Sequence, residues 1–129
     1  MDKTVVRTET APAPFQGAPY SQAIVANGLV FVSGQLALRP DHGEIVGESI
    51  QEQTEQVFAN LQAILDAAGS GLDRLVKTTV YLTDLGDFAG MNEVYARHVG
   101  EQPPARATIE VSALPSGAKV EIGRSRSSE

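Results

Sequence analysis

Arg106 stands at the head of PPARATIEVSALPSGAKVEIG, residues 103–122, a stretch whose alternate residues would otherwise build an ordinary strand. Its planar fork of donors grips a carboxylate through two parallel hydrogen bonds, which a lysine cannot reproduce. Taking Leu114-Pro115-Ser116-Gly117 as a turn pairs Val111 with Val120 and Ile109 with Ile122, one apolar face shared by two strands. Arg106, Thr108, Glu110, Ser112, Lys119 and Glu121 then share the opposite face. In that register Glu110 lies across from Glu121, a like-charge pair that needs a cation or a shifted pKa nearby. Two readings of this face stay open: a solvated network of exposed salt bridges, or a face buried against other copies of the chain with Arg106 held for a carboxylate.

Other groups with chemical potential are more scattered. His42 and His98 fall on a loop and a helix with no partner at metal-ligand spacing, so neither a metal site nor a Ser-His-Asp arrangement is expected. Ser33, in Val32-Ser33-Gly34-Gln35, lacks the flanking glycines of a nucleophile elbow and reads as a hydrogen-bonding serine. Asn92 fits a helix surface, and Tyr20 fits the rim of a sheet.

The elements that must position these groups are legible from pattern. Asn27-Gly28 between SQAIVA and LVFVSGQ reads as a two-residue hairpin turn, which sets Ala26 against Leu29, Gln22 against Ser33 and Tyr20 against Gln35. RPDHGEIVG is a turn-rich connection with room for a short strand at 44–46. Ser49-Ile50-Gln51-Glu52 is a capping box, and Ile50, Val57, Phe58, Leu61, Ile64, Leu65 and Ala68 recur at helical spacing up to Gly69. LVKTTVYL, residues 75–82, reads as a strand with Val76, Thr78, Val80 and Leu82 on one face. A second helix is expected from Asp87, as its capping residue, with Phe88, Met91, Val94, Tyr95 and Val99 towards the core and Gly100 at its end. Pro103-Pro104 forbids its continuation.

Strand, strand, helix, strand, helix, strand, strand predicts an α+β domain: a mixed sheet with two helices on one face. At 129 residues with 42% hydrophobic and 20% charged residues, a single domain over 1–129 is expected. The net charge of −6 repels phosphate backbones and anionic headgroups, so neither nucleic acid nor membrane is an expected partner. Without cysteine there is no thiolate nucleophile, disulfide or cysteine-type zinc site. MDKTVVRTETAPAPFQ lacks the apolar run of a signal peptide, and no stretch approaches the roughly 18 apolar residues of a membrane span, so a soluble, cytoplasmic protein is expected.

Taken together, Ala18-Pro19-Tyr20-Ser21-Gln22-Ala23, Val32-Ser33-Gly34-Gln35, Val76-Lys77-Thr78-Thr79-Val80, Met91-Asn92-Glu93-Val94-Tyr95 and Pro104-Ala105-Arg106 through Val120-Glu121-Ile122 resemble the reactive intermediate deaminase family, also called RidA, YjgF or L-PSP. The resemblance runs from Thr8 to about Ile122. It implies a chorismate-mutase-like fold assembled as a homotrimer, with helices outside and clefts between subunits. It implies a cofactor-independent hydrolase of the 2-iminobutanoate/2-iminopropanoate deaminase type, releasing a 2-keto acid and ammonia from 2-aminoacrylate-like enamines and imines. By the same resemblance Arg106 pairs with the substrate carboxylate, Glu121 orients the attacking water, and Tyr20, Ser33, Asn92 and Thr108 line the cleft, Tyr20 coming from the adjacent subunit. Thr108 stands where many members carry cysteine. The ending GRSRSSE, residues 123–129, departs from the family's apolar strand, so 124–129 is expected to be a divergent or disordered tail that stops the last strand early. Alternatives are a trimeric binding or regulatory protein for 2-keto acids, a pathway-specific deaminase such as one for 2-aminomuconate, and an endoribonuclease, the last opposed by the acidic balance.

Overall fold

The computed structural model describes residues 2–14, 17–41 and 43–128, with 124–128 described by their backbone. The chain runs β1 (Thr4–Val6), β2 (Ala23–Ala26), β3 (Leu29–Val32), α1 (Ile50–Ala67), β4 (Leu75–Leu82), α2 (Phe88–Val99), β5 (Ala105–Glu110) and β6 (Val120–Ser128). Its strands make one mixed sheet in the order β1-β2-β3-β6-β4-β5, parallel between β4 and β5 and antiparallel elsewhere. The domain is therefore α+β, as the pattern predicts.

Local chemistry explains most of the elements. Asn27 at φ 53° and Gly28 at φ 74° supply the left-handed pair that a tight hairpin turn requires, and β2 meets β3 with Ala26 opposite Leu29. The register continues past the strands, because the Ser33 N–H donates to the Gln22 carbonyl at 2.9 Å. At the start of α1 the Ser49 hydroxyl accepts from the Glu52 N–H at 3.0 Å, and the Glu52 carboxylate accepts from the Ser49 N–H at 3.2 Å. This reciprocal cap satisfies two donors that the first turn leaves open. Gly69, at φ 79°, follows the helix end.

Val57, Phe58, Leu61, Ile64 and Leu65 of α1 join Met91 and Val94 of α2 over Val30, Val80, Leu82, Val120 and Ile122 of the sheet, all fully buried. Each such side chain contributes about 1.5–3 kcal/mol relative to exposure, so both helices are held on one face of the sheet by this layer. The other face carries Val5, Ile24 and Phe31 in register across β1, β2 and β3, and Tyr81 beside Ile109 across β4 and β5. Val5, Phe31 and Ile109 are exposed there.

Several expectations are corrected. β5 and β6 form no hairpin: β4 lies between them, parallel to β5 and antiparallel to β6. Residues 111–119 carry the chain from one side of β4 to the other through a 3-10 turn at Pro115–Gly117, where Ser116 takes φ 59°. β6 thereby gains hydrogen-bonding neighbours on both edges, β3 and β4, whereas a hairpin on β5 would have left it at the rim. Glu110 and Glu121 consequently never face one another; Glu110 is in register with Leu82, and Glu121 with Tyr81.

The last strand does not stop early either. β6 runs to Ser128, and its backbone at 125–128 pairs with all of β3. Its polar ending is compatible with a strand because ladder hydrogen bonds come from the backbone, whatever the side chain. Val76, expected on the core face, is half exposed, because a register shift between Leu75 and Lys77 turns it outward and buries Leu75 instead. Finally, α2 is led in by a 3-10 turn at Leu85–Asp87 whose cap is Asp84, accepting from the Gly86 N–H at 2.7 Å. Asp87 makes no side-chain cap, and Phe88 is exposed rather than in the core. The short strand expected at 44–46 reduces to a single bridge between Leu38 and Ile45. His42 lies outside the described residues.

Candidate functional site

Arg106 sits in register with Thr78 on β4, and Thr78 faces the helices. Arg106 therefore emerges on the helix-bearing face, not on the face opposite it as the hairpin register requires. There its Nη1 donates to Asn92 Oδ1 at 2.7 Å, and its guanidinium carbon lies 4.7 Å from the Tyr95 ring centre and 5.4 Å from that of Phe88. Aromatic faces attract a cation through their quadrupole, so two rings and one amide oxygen hold this charge. No described acidic residue pairs with it. The Tyr95 ring is fixed in turn by a 2.7 Å hydrogen bond between its hydroxyl and the buried Thr78 hydroxyl. Burial pushes the Tyr95 phenol upward, against the Thr78 hydrogen bond and the Arg106 charge. Donors of Arg106 beyond the Asn92 contact remain for a planar anion.

Thr108, on the same face of β5, places a buried hydroxyl that has no hydrogen-bond partner among the described residues. Buried polar groups are rarely left so. Arg106 itself opens on a pocket of about 550 Å³ with Asn92, Tyr95, Val99, Gly100 and Pro104.

Glu121 belongs to a different region. Its register partner is Tyr81, on the open face, so Arg106 and Glu121 project from opposite faces with β4 between their strands. Two strand spacings alone separate them by on the order of 10 Å. The Glu121 carboxylate lies against Gly34: a Cβ at that glycine would clash with Glu121 Oε2 and come within 2.9 Å of Glu121 Cδ. Pro12, Tyr20, Gln22, Gln35, Leu36, Leu38 and Pro115 close the rest of a cavity of about 210 Å³ around it. Burial pushes the Glu121 carboxyl upward from its ordinary value, and no described side chain offers it a cation or a donor. A carboxylate so placed holds its proton more readily and is a stronger base when ionised.

Tyr20 and Ser33 border the same side of the sheet, where they help line a cavity of about 830 Å³ with Lys77 and Thr79. The Ser33 hydroxyl donates to the Ser21 carbonyl at 2.6 Å, which makes it a brace rather than a nucleophile. The predicted residues thus form two groups: Arg106, Asn92 and Thr108 under α2, and Tyr20, Ser33 and Glu121 on the open side. His98 joins neither; its ring stacks on Phe58 at 4.6 Å and pairs with Glu55, which Arg97 also contacts at 2.9 Å. Among the described residues no three His, Asp or Glu side chains are grouped to hold a metal ion.

Sequence reasoning missed the part Phe88 and Tyr95 play around Arg106. A signal existed, since 88, 92 and 95 recur at i, i+4 and i+7 and so share one helix face. It also missed Gly34, whose role is to be empty space. No local pattern announces that.

The comparisons agree with this architecture. The model of the family described as Endoribonuclease L-PSP matches residues 8–124. A RutC family protein of Pyrococcus horikoshii is 52% identical over 120 residues, 93% of this chain and 94% of that protein. Reactive Intermediate Deaminase A, chloroplastic, of Arabidopsis thaliana is likewise 52% identical, over 93% of this chain and 63% of that longer protein. The crystal structure of RidA from the Antarctic bacterium Psychrobacter sp. superposes with a TM-score of 0.91 at 44% identity, covering 98% of this chain and 99% of that one.

Proposed function

Because the chain belongs to the Endoribonuclease L-PSP (Rid) family, among whose members is a protein named Reactive Intermediate Deaminase A, we propose that it hydrolyses imines and enamines derived from amino acids, 2-aminoacrylate foremost. Water adds to the imine carbon, the C–N bond of the resulting carbinolamine breaks, and a 2-keto acid and ammonia leave. One water is consumed and no electrons change hands. Arg106 binds the carboxylate, Asn92 and the two rings hold Arg106, and the Thr108 hydroxyl meets the bound acid. Glu121 takes a proton from the attacking water and returns it to the departing nitrogen, while Tyr20 and Ser33 shape its surroundings. Fixing a small anion beside a positioned water removes much of the entropic part of the barrier.

The observation that carries this reading is a guanidinium that no described acidic residue neutralises, braced by Asn92, Tyr95 and Phe88 in a pocket shared with Val99, Gly100 and Pro104. A three-carbon acid cannot touch Arg106 and Glu121 of one chain, since a sheet stands between them. Each site therefore takes its arginine from one chain and its glutamate from another, as in a homotrimer with inter-subunit clefts. The exposed Val5, Phe31 and Ile109 on the open face are apolar surface such packing would cover.

The test is to generate 2-aminoacrylate from serine with a pyridoxal-phosphate dehydratase and follow the imine spectroscopically. Accelerated decay that disappears in Arg106→Ala is expected. Decay at the uncatalysed rate, with a small 2-keto acid still binding through Arg106, would replace the enzyme with a sensor of such acids. The family's description also raises RNA cleavage, which the net charge of −6 disfavours.

A further inference from the structure

Gln22 is 3% exposed, yet its side chain reaches out of the sheet to a segment distant in sequence. Its Oε1 accepts from the Thr8 N–H at 2.8 Å; its Nε2 lies 3.1 Å from the Thr8 carbonyl, 3.2 Å from that of Ala11 and 2.8 Å from that of Pro12. One amide thus satisfies backbone groups across five residues that form no ladder with a strand. Its own carbonyl accepts from Ser33, one residue before the glycine under Glu121. The clamped segment ends at Pro12, and Pro12, Ala13 and Gln22 itself wall the cavity that holds the Glu121 carboxylate.

We propose that Gln22 is a positioning residue for Glu121: by pinning residues 8–12 over the cavity it holds that half-buried carboxylate partly screened from bulk water and fixed in direction. Gln22 makes no hydrogen bond to Glu121 and works through Pro12 and Ala13. The amide type is required, since the segment offers one donor and three acceptors, and a carboxylate or a lone ammonium meets only part of that set. Of the titratable groups near Glu121 among the described side chains, Tyr20 lines the cavity and Tyr81 is its partner on β4; no other charged side chain among those described lines the cavity. Removing the clamp admits water to a carboxylate whose high proton affinity comes from burial.

The inference concerns Glu121 itself, and its catalytic reading rests on the proposed function. Its test therefore has a readout that needs no turnover. Substitute Gln22→Met, which conserves volume and removes every hydrogen bond, and titrate the Glu121 side-chain carbon by NMR in the assembled protein. The carboxyl is expected to titrate at lower pH than in the unaltered protein. In the imine assay the acid limb of kcat moves the same way, with kcat down by about tenfold and KM within about twofold, because the carboxylate anchor lies elsewhere. If Gln22→Met does not fold, Pro12→Gly opens the wall and leaves the clamp, and carries the same expectation. An unchanged Glu121 titration in the folded variant overturns the proposal, as does a loss expressed in KM with the pH profile unmoved. Absence of imine turnover in every variant would refute the deaminase reading and leave the NMR titration to decide this one.

Discussion

The surroundings of Arg106 and of Glu121 solve opposite problems. Arg106 is a cation kept available: neutral partners, Asn92 and two aromatic rings, hold it without neutralising it, and all of them come from α2, the element next to β5 in sequence. Glu121 is a half-buried carboxyl group, bordered by residues 12, 13, 20, 22, 34–36, 38 and 115, which are distant in the chain. A binding group for a carboxylate must keep its charge, and a proton-transfer group must be able to lose it. Water around the first costs little; water around the second lowers its basicity. The difference leaves two groups of side chains in one chain, separated by the sheet, which the proposed function reads as two half-sites.

The comparison breaks most readily at Arg106. Arg106→Ala is expected to lower kcat/KM by about a hundredfold or more, since the bidentate anchor is lost outright, and Arg106→Lys to recover only a minor part. Steady-state kinetics checks both, and near-complete rescue by lysine would mean that charge alone suffices. Glu121→Gln should lower kcat by on the order of a hundredfold while leaving KM nearly unchanged.

The stability of Glu121→Gln sharpens the contrast. The folded-state pKa of Glu121 is raised, so its contribution favours folding below the unfolded carboxyl's titration and is lost as pH rises through the folded value. At neutral pH the ionised carboxylate thus weakens the fold. Glu121→Gln should melt higher than the parent at pH 7, and the two should converge in acid; thermal melts at both pH values decide it.

Gly34→Ala comes next. Its methyl would meet the Glu121 carboxylate, so kcat should fall by about tenfold and carboxylate binding should persist. Isothermal titration with pyruvate separates the two quantities. The smallest effect is expected for Thr108→Val, which removes a hydroxyl already without a protein partner. Stability should hold or rise by up to about 1 kcal/mol while KM increases a few-fold. A clear loss of stability would show that the hydroxyl has a structural partner.

Much of the fold was legible because its signals are local. The Asn27-Gly28 turn, the Ser49 capping box and the spacing along α1 each depend on residues within a few positions, and all three match the structure. The neighbours of β6 were not legible, since alternation says which residues share a face but not which strand lies alongside. Placing β6 against β5 put Arg106 and Glu121 on one surface; inserting it between β3 and β4 sends them to opposite ones. Val76 failed for the same kind of reason, as a register shift is invisible in a period-two pattern. The individual site residues were readable as residue types, whereas their division into two groups is a property of topology.

The most direct test of that division mixes chains. Arg106→Ala and Glu121→Gln are prepared separately, unfolded, combined in equal amounts and refolded, and imine hydrolysis is compared with that of each variant alone. If each site draws its arginine and its glutamate from different chains of a closed ring, about a quarter of the sites recover both, and activity returns to about that fraction of the unaltered protein. Activity no higher than that of the separate variants, in a mixture shown to have exchanged subunits, would contradict the account.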